Sequence, residues 1–63
     1  MRWIQIESVN SVQWINQDKI AQIQMNWEDD MYDVVFIMED GQKITAEGAV
    51  TEKFAKDYIR GLM

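Results

Sequence analysis

The run Tyr32-Asp33-Val34-Val35-Phe36-Ile37-Met38 constrains this chain more than any other segment. Successive side chains of an extended strand point to opposite faces. Val34, Phe36 and Met38 therefore take one face, and Val35 and Ile37 the other. A strand that is apolar on both faces calls for cover on both. The 63-residue chain has little to cover it with. Near its end Phe54, Ala55, Tyr58, Ile59 and Leu62 recur at i, i+1, i+4, i+5 and i+8, the single stripe of an amphipathic helix. Thr51 suits the N-cap, and Glu52 lies in the first turn, where the helix dipole favours an acid. One helix of about three turns covers one face of a sheet. The second face must be covered by a sheet that curls on itself, by a second chain, or by both.

The remaining segments supply the other strands. Ile4 and Ile6 alternate with Trp3, Gln5 and Glu7, and Ser8-Val9-Asn10-Ser11 reads as a turn. Val12-Gln13-Trp14-Ile15 is strand-like and is broken at Asn16-Gln17-Asp18. In Ile20–Trp27 the residues Ala21, Ile23, Met25 and Trp27 share a face opposite Gln22, Gln24 and Asn26, which marks a half-buried strand. Asp40-Gly41 predicts a hairpin with a type I′ turn, and Gln42-Lys43-Ile44-Thr45-Ala46 is the return strand, ended by Gly48. The prediction is one α+β domain over residues 1–63. It has strands at about 2–7, 12–15, 20–27, 32–39 and 42–46 and a helix at about 51–61. Its four or five strands form a curled antiparallel sheet, for which a small SH3-like partial barrel is one form, and the helix packs across it.

Composition removes whole classes of chemistry. There is no His, no Cys and no Pro, hence no thiol nucleophile, imidazole base, disulfide or Cys/His zinc site. A sheet with one helix also lacks room for a cleft of about 300–1,000 Å³ between paired carboxylates. The expected protein is not an enzyme and has no catalytic residues, no cofactor and no metal. Six basic against eleven acidic residues give a net charge of −5, the wrong sign for gripping phosphate directly. The opening Met1-Arg2-Trp3-Ile4-Gln5-Ile6-Glu7 lacks the apolar core of a secretory leader, and no stretch approaches the ~20 apolar residues of a membrane span. The expectation is a cytoplasmic chain that contacts neither membrane nor nucleic acid.

The segment Trp14-Ile15-Asn16-Gln17-Asp18-Lys19-Ile20-Ala21-Gln22-Ile23 is followed by an acidic spacer and by Val34-Val35-Phe36-Ile37-Met38-Glu39-Asp40-Gly41-Gln42-Lys43-Ile44. Glu47, Val50 and Glu52 then precede an amphipathic helix. Over about residues 13–60 this resembles the short FlbD-like proteins. The resemblance implies a strand-rich mini-domain with a C-terminal helix, association with bacterial flagellar gene clusters, and a non-enzymatic role.

Two sets of residues are candidates for binding. Trp27-Glu28-Asp29-Asp30-Met31-Tyr32-Asp33 places four carboxylates among aromatic and Met side chains. Oxygen ligands for a hard cation are one reading, but the ligand alternation and glycine of a calcium loop are missing. A solvated turn that discourages edge-to-edge pairing is a second. A contact for a protein partner is the third, since Trp, Tyr and Met concentrate at interface cores. Trp3, opposite Ile4 and Ile6, is expected to be exposed, whereas Trp14 and Trp27 are expected in the core. Trp3, Trp27, Glu28, Asp29, Asp30, Met31, Tyr32 and Asp33 thus form the expected protein-binding set. Met1, Trp3, Val35 and Ile37 form the expected self-association set, as a homodimer or small homo-oligomer. These features predict a protein-binding adaptor or structural component of the bacterial cytosol. Small size and acidity also fit a phage- or mobile-element-encoded inhibitor, of the anti-CRISPR kind, that offers carboxylates in place of phosphate to a host nucleic-acid-binding protein.

Overall fold

A computed structural model of the chain describes residues 2–63, so Met1 of the self-association set lies outside the described residues. The elements follow as β1 (Trp3–Glu7), β2 (Val12–Asn16), a 3₁₀ turn (Gln17–Lys19), β3 (Ile20–Glu28), β4 (Met31–Met38), β5 (Lys43–Val50) and α1 (Glu52–Leu62). This is the expected α+β class with a C-terminal helix. The strands, however, form two antiparallel sheets, β1–β2 and β3–β4–β5, and neither closes into a barrel.

β4 is the middle strand of the larger sheet because it alone is apolar enough to be flanked on both edges. Its register places Phe36 between Ile23 and Ile44, Val34 opposite Met25, and Tyr32 between Trp27 and Val50. Against this face lies α1, whose Ala55 is fully buried and whose Tyr58 ring stacks on Phe36 with centroids 6.4 Å apart. The β1–β2 hairpin adds Ile6 and Ile15 to the same core. Val34 and Phe36 consequently have no exposed surface.

The opposite face is different. Val35 lies between Gln24 and Thr45, and Ile37 between Gln22 and Lys43. Val35 and Ile37 are half-buried rather than buried, since polar neighbours flank them and the helix and hairpin both serve the other side. Helix and hairpin together satisfy one face of β4; the second face is left to its own sheet.

Local chemistry fixes the ends of α1. Thr51 Oγ1 accepts a hydrogen bond from the Phe54 amide at 3.1 Å, and the Leu62 carbonyl accepts one from Gln17 Nε2 at 2.9 Å. Lys53, Lys56 and Arg60 pair with Asp57 or Glu52 along the exposed side. The Lys53 hydrogen bond, its charge and that of Arg60 hold the Asp57 carboxyl below its ordinary range. Phe54, placed by periodicity in the buried stripe, is 49% exposed, because Ala55 takes the closest approach to the sheet.

Two turns differ from expectation. The β4–β5 connection is a three-residue loop and not a type I′ turn. Gly41 has φ +90° while Asp40 stays out of the left-handed region. The Met38 amide donates to the Gln42 carbonyl, and the Gly41 amide to the Met38 carbonyl, as in a turn closed by a left-handed glycine. Gly48 does not end the last strand either. β5 continues to Val50 through two register shifts opposite Tyr32–Val35, with Ala49 at φ +55°.

Removing the Phe36 ring should abolish the fold. Phe36→Ala is expected to cost about 3–5 kcal/mol, most of the stability of a domain this small. Thermal unfolding followed by circular dichroism checks this, and a variant with a wild-type transition contradicts it. A second expectation concerns alkali. Burial, then the Glu47 carboxylate, raises the Tyr58 phenol above its ordinary value of 10.0. A raised folded value contributes stability that is complete below about pH 10 and is lost as pH climbs through the folded value. Tyr58→Phe keeps the ring on Phe36 and removes that loss, so its alkaline unfolding midpoint should lie above wild type.

Candidate functional site

The β3–β4 hairpin turns on only two residues, Asp29 and Asp30, with Glu28 paired to Met31. Asp29 sits at φ +57°, a conformation that Asp tolerates better than most side chains. The carboxylates of Glu28, Asp29 and Asp30 project from the tip, and among the described residues no Lys or Arg pairs with them. Behind them Trp27 stacks on Tyr32 with centroids 5.9 Å apart. The Tyr32 hydroxyl donates to Glu52 Oε2 at 3.3 Å. Partial desolvation and then the Glu52 charge push that phenol upward.

Trp27, Glu28, Asp29, Met31 and Asp33 border one shallow depression of about 390 Å³, a volume for which the chain was expected to lack room, reached here because it opens on the surface between the hairpin and β5. Asp30 lies in the adjoining turn, and Tyr32 backs the Trp27 ring. Trp3 is on β1, in the other sheet, and does not border this depression. Asp33 has a further role that sequence reasoning missed. Its Oδ1 accepts a hydrogen bond from the Ala49 amide at 2.9 Å and lies 3.5 Å from where a side chain at Gly48 would begin. Asp33 holds the distorted stretch of β5 beside the hairpin. Among the described residues no group of three or more acids converges as a metal site.

A second surface comes from the β1–β2 hairpin. Ser8 and Ser11 close its turn through the Ser8 amide and the paired hydroxyls. The register pairs Trp3 with Asn16, Gln5 with Trp14 and Glu7 with Val12. Ile4, Ile6 and Ile15 face the core, so Trp3, Val12 and Trp14 share the outer face, 57%, 48% and 59% exposed. Trp3 is exposed as expected. Trp14 and Trp27, expected in the core, are not: Trp27 is 65% exposed. The cause is geometric. Ile15 takes the interior position beside Trp14, and Trp27, though on the core face, lies at the end of β3 opposite Tyr32, beyond Val34 and Phe36. The signal for Trp14 was present in the turn. With residues 8–11 as the loop, an antiparallel register puts Trp14 and Val12 on the Trp3 face. Trp14 also walls a groove of about 390 Å³ with Met38 and Ile44, crossed by the Lys19–Glu39 ion pair at 3.8 Å.

The exposed area of 4723 Å² exceeds the roughly 4,200 Å² expected of a monomer of this mass. No helix among the described residues is long and apolar enough to cross a membrane. Comparison with protein-family models, curated proteins and solved structures finds no match.

Asp33 and Ala49 give a direct test of the hairpin support. Ala49→Gly relieves a left-handed alanine and should raise stability by about 1 kcal/mol. Asp33→Ala removes the partner of the Ala49 amide and should lower it by about 1 kcal/mol. Denaturant titration reads both; opposite signs contradict the account.

Proposed function

We propose that this chain is a non-enzymatic protein-binding module that also associates with itself. The observation that carries the proposal is the position of its indoles. All three tryptophans of a 63-residue chain are more than half exposed. Exposed apolar patches rimmed by polar groups mark contact sites, and Trp is the side chain most enriched among residues that dominate binding energy. Trp3 and Trp14 offer one such patch, with Val12 beside Trp14 at the turn end of β2. Trp27, Met31 and Tyr32 offer another beside the acids Glu28, Asp29, Asp30 and Asp33. Self-contact would use strand edges and the sheet face that bears Val35 and Ile37. An adaptor or structural component of the bacterial cytosol fits this reading, as does the flagellar accessory role implied by the FlbD-like resemblance.

A second reading rests on the hairpin tip. Its carboxylates have no basic partner among the described residues, while the helix acids Glu52 and Asp57 are paired. Unpaired charge gathered at a tip suits an acidic inhibitor that competes with nucleic acid for a basic protein of the host.

Salt and substitution separate the two. A partner retained by the immobilised chain through the aromatic face should be lost at least tenfold with Trp3→Ser/Trp14→Ser and hold at high salt. A partner bound through charge should instead be released as salt rises, and by Glu28→Ser/Asp29→Ser/Asp30→Ser. Retention indifferent to both sets of substitutions, or no retained protein and no self-association, overturns the proposal.

A further inference from the structure

We infer that the chain forms a two-fold dimer in which the free edge of β3 pairs antiparallel with β3 of a second copy, each Trp27 seating in a groove of the other. The inference rests on the self-association reading above and names its surface.

β3 is a nine-residue edge strand, hydrogen-bonded to β4 alone. An edge of this kind presents a row of unpaired amides and carbonyls, and proteins that stay monomeric blunt it with charges, proline, bulges or brevity. The other edges are blunted. β5 carries Lys43 and Glu47 and two register shifts. β1 and β2 have five residues each. β3 has a single shift, near its start, and no charged residue from Ile20 through Trp27. In a chain of net charge −5, this is the longest strand along which two copies can meet without like charges opposed.

The register follows from the pleat. A two-fold axis normal to the sheet pairs residues that share a face, and centring it on Gln24 uses the whole strand. Ile23 then lies opposite the second copy's Met25, Gln22 opposite its Asn26, and Gln24 opposite its own counterpart. Glu28 and Ile20, the latter beyond the register shift, fall at the two ends of the ladder, so no acid faces an acid. Ala21 meets the second copy's Trp27. Ala21 is the extra residue at the register shift, small and exposed. With Ile20, Ile23, Leu62 and Met63 it lines a groove of about 380 Å³. Met63 is 86% exposed there, and Trp27 65% exposed at the other end of the strand. Knob and hole thus occur on one strand, six residues apart, on opposite sides of the axis, and a two-fold operation brings each to the other. The still-exposed two-thirds of each indole, with the groove walls and the edge of the nine-residue strand on each side, form the apolar centre that a specific interface of ~1,000 Å² needs.

Cross-linking and sedimentation of the full chain test this. The chain has no Cys, so Gln24→Cys places a single thiol at the axis, within the 4.4–6.8 Å Cα separation that a disulfide spans. Mild oxidation should convert it to a covalent dimer, whereas Thr45→Cys, on the outer face of β5, should stay uncross-linked. Independently, Trp27→Ala should weaken the dimer at least tenfold by sedimentation velocity, with an unchanged circular dichroism spectrum. Both results are required. A dimer that fails to cross-link at position 24, or that ignores Trp27→Ala, overturns the β3 contact and leaves self-association through another surface standing. A wild-type chain that stays monomeric at high concentration overturns both.

Discussion

The stack of Tyr58 on Phe36, with Val34 beneath α1, is the contact on which the rest of the structure depends. Among the described residues six hydrophobic side chains are buried, two of them alanines, and just Val34, Phe36 and Ala55 have no exposed surface. In a domain that buries about 60% of its unfolded surface, such a core has no redundancy. The ring of Phe36 joins the helix to the middle strand, and Ile6 and Ile15 join the hairpin to both. Thr51 aims the helix at this contact, and the Gln17–Leu62 bond ties down its far end.

Placing helix and hairpin on one side of β4 has a consequence for everything outside. The interior is filled by Phe36, Val34 and isoleucines, so the three indoles are displaced outward: two onto the back of the hairpin and one to the end of β3. Val35 and Ile37 remain beneath polar neighbours on the open face. Apolar surface that a core cannot take is available for contact with another chain. The acids at the Asp29–Asp30 turn and the helix ion pairs keep the rest of the surface wet. Charge is absent from Ile20 through Trp27 of β3, where pairing would need it absent.

Much of this was legible in the residues. The helix, its Thr51 cap and all five strands follow from period and capping chemistry, because each signal lies within a few neighbouring residues. What was not legible depends on long-range choices. Trp14 is the exception, since alternation combined with the local Ser8–Ser11 turn is enough to put it on the Trp3 face. Gly48 read as a strand end because the Asp33–Ala49 bond that carries β5 past it links residues 16 positions apart. Asp40-Gly41 read as a two-residue turn, and the Met38–Gln42 pairing that lengthens it is set by the strands on either side. The division into two sheets follows from how hairpin and helix share one face. The candidate binding set was legible for the β3–β4 tip, where acids and aromatics are contiguous. It was incomplete for the hairpin back, where Val12 and Trp14 join Trp3 only through the fold.

The central claim is that Trp27, the indole excluded from the core at the end of β3, is covered by another copy of the chain. Acrylamide quenching of Trp27 fluorescence, measured across a dilution series of the Trp3→Phe/Trp14→Phe variant, tests it most directly. Coverage predicts quenching that is weak at high concentration and rises as the protein is diluted and its copies separate. Quenching that is strong and constant across the series would contradict it, leaving Trp27 in water at every concentration.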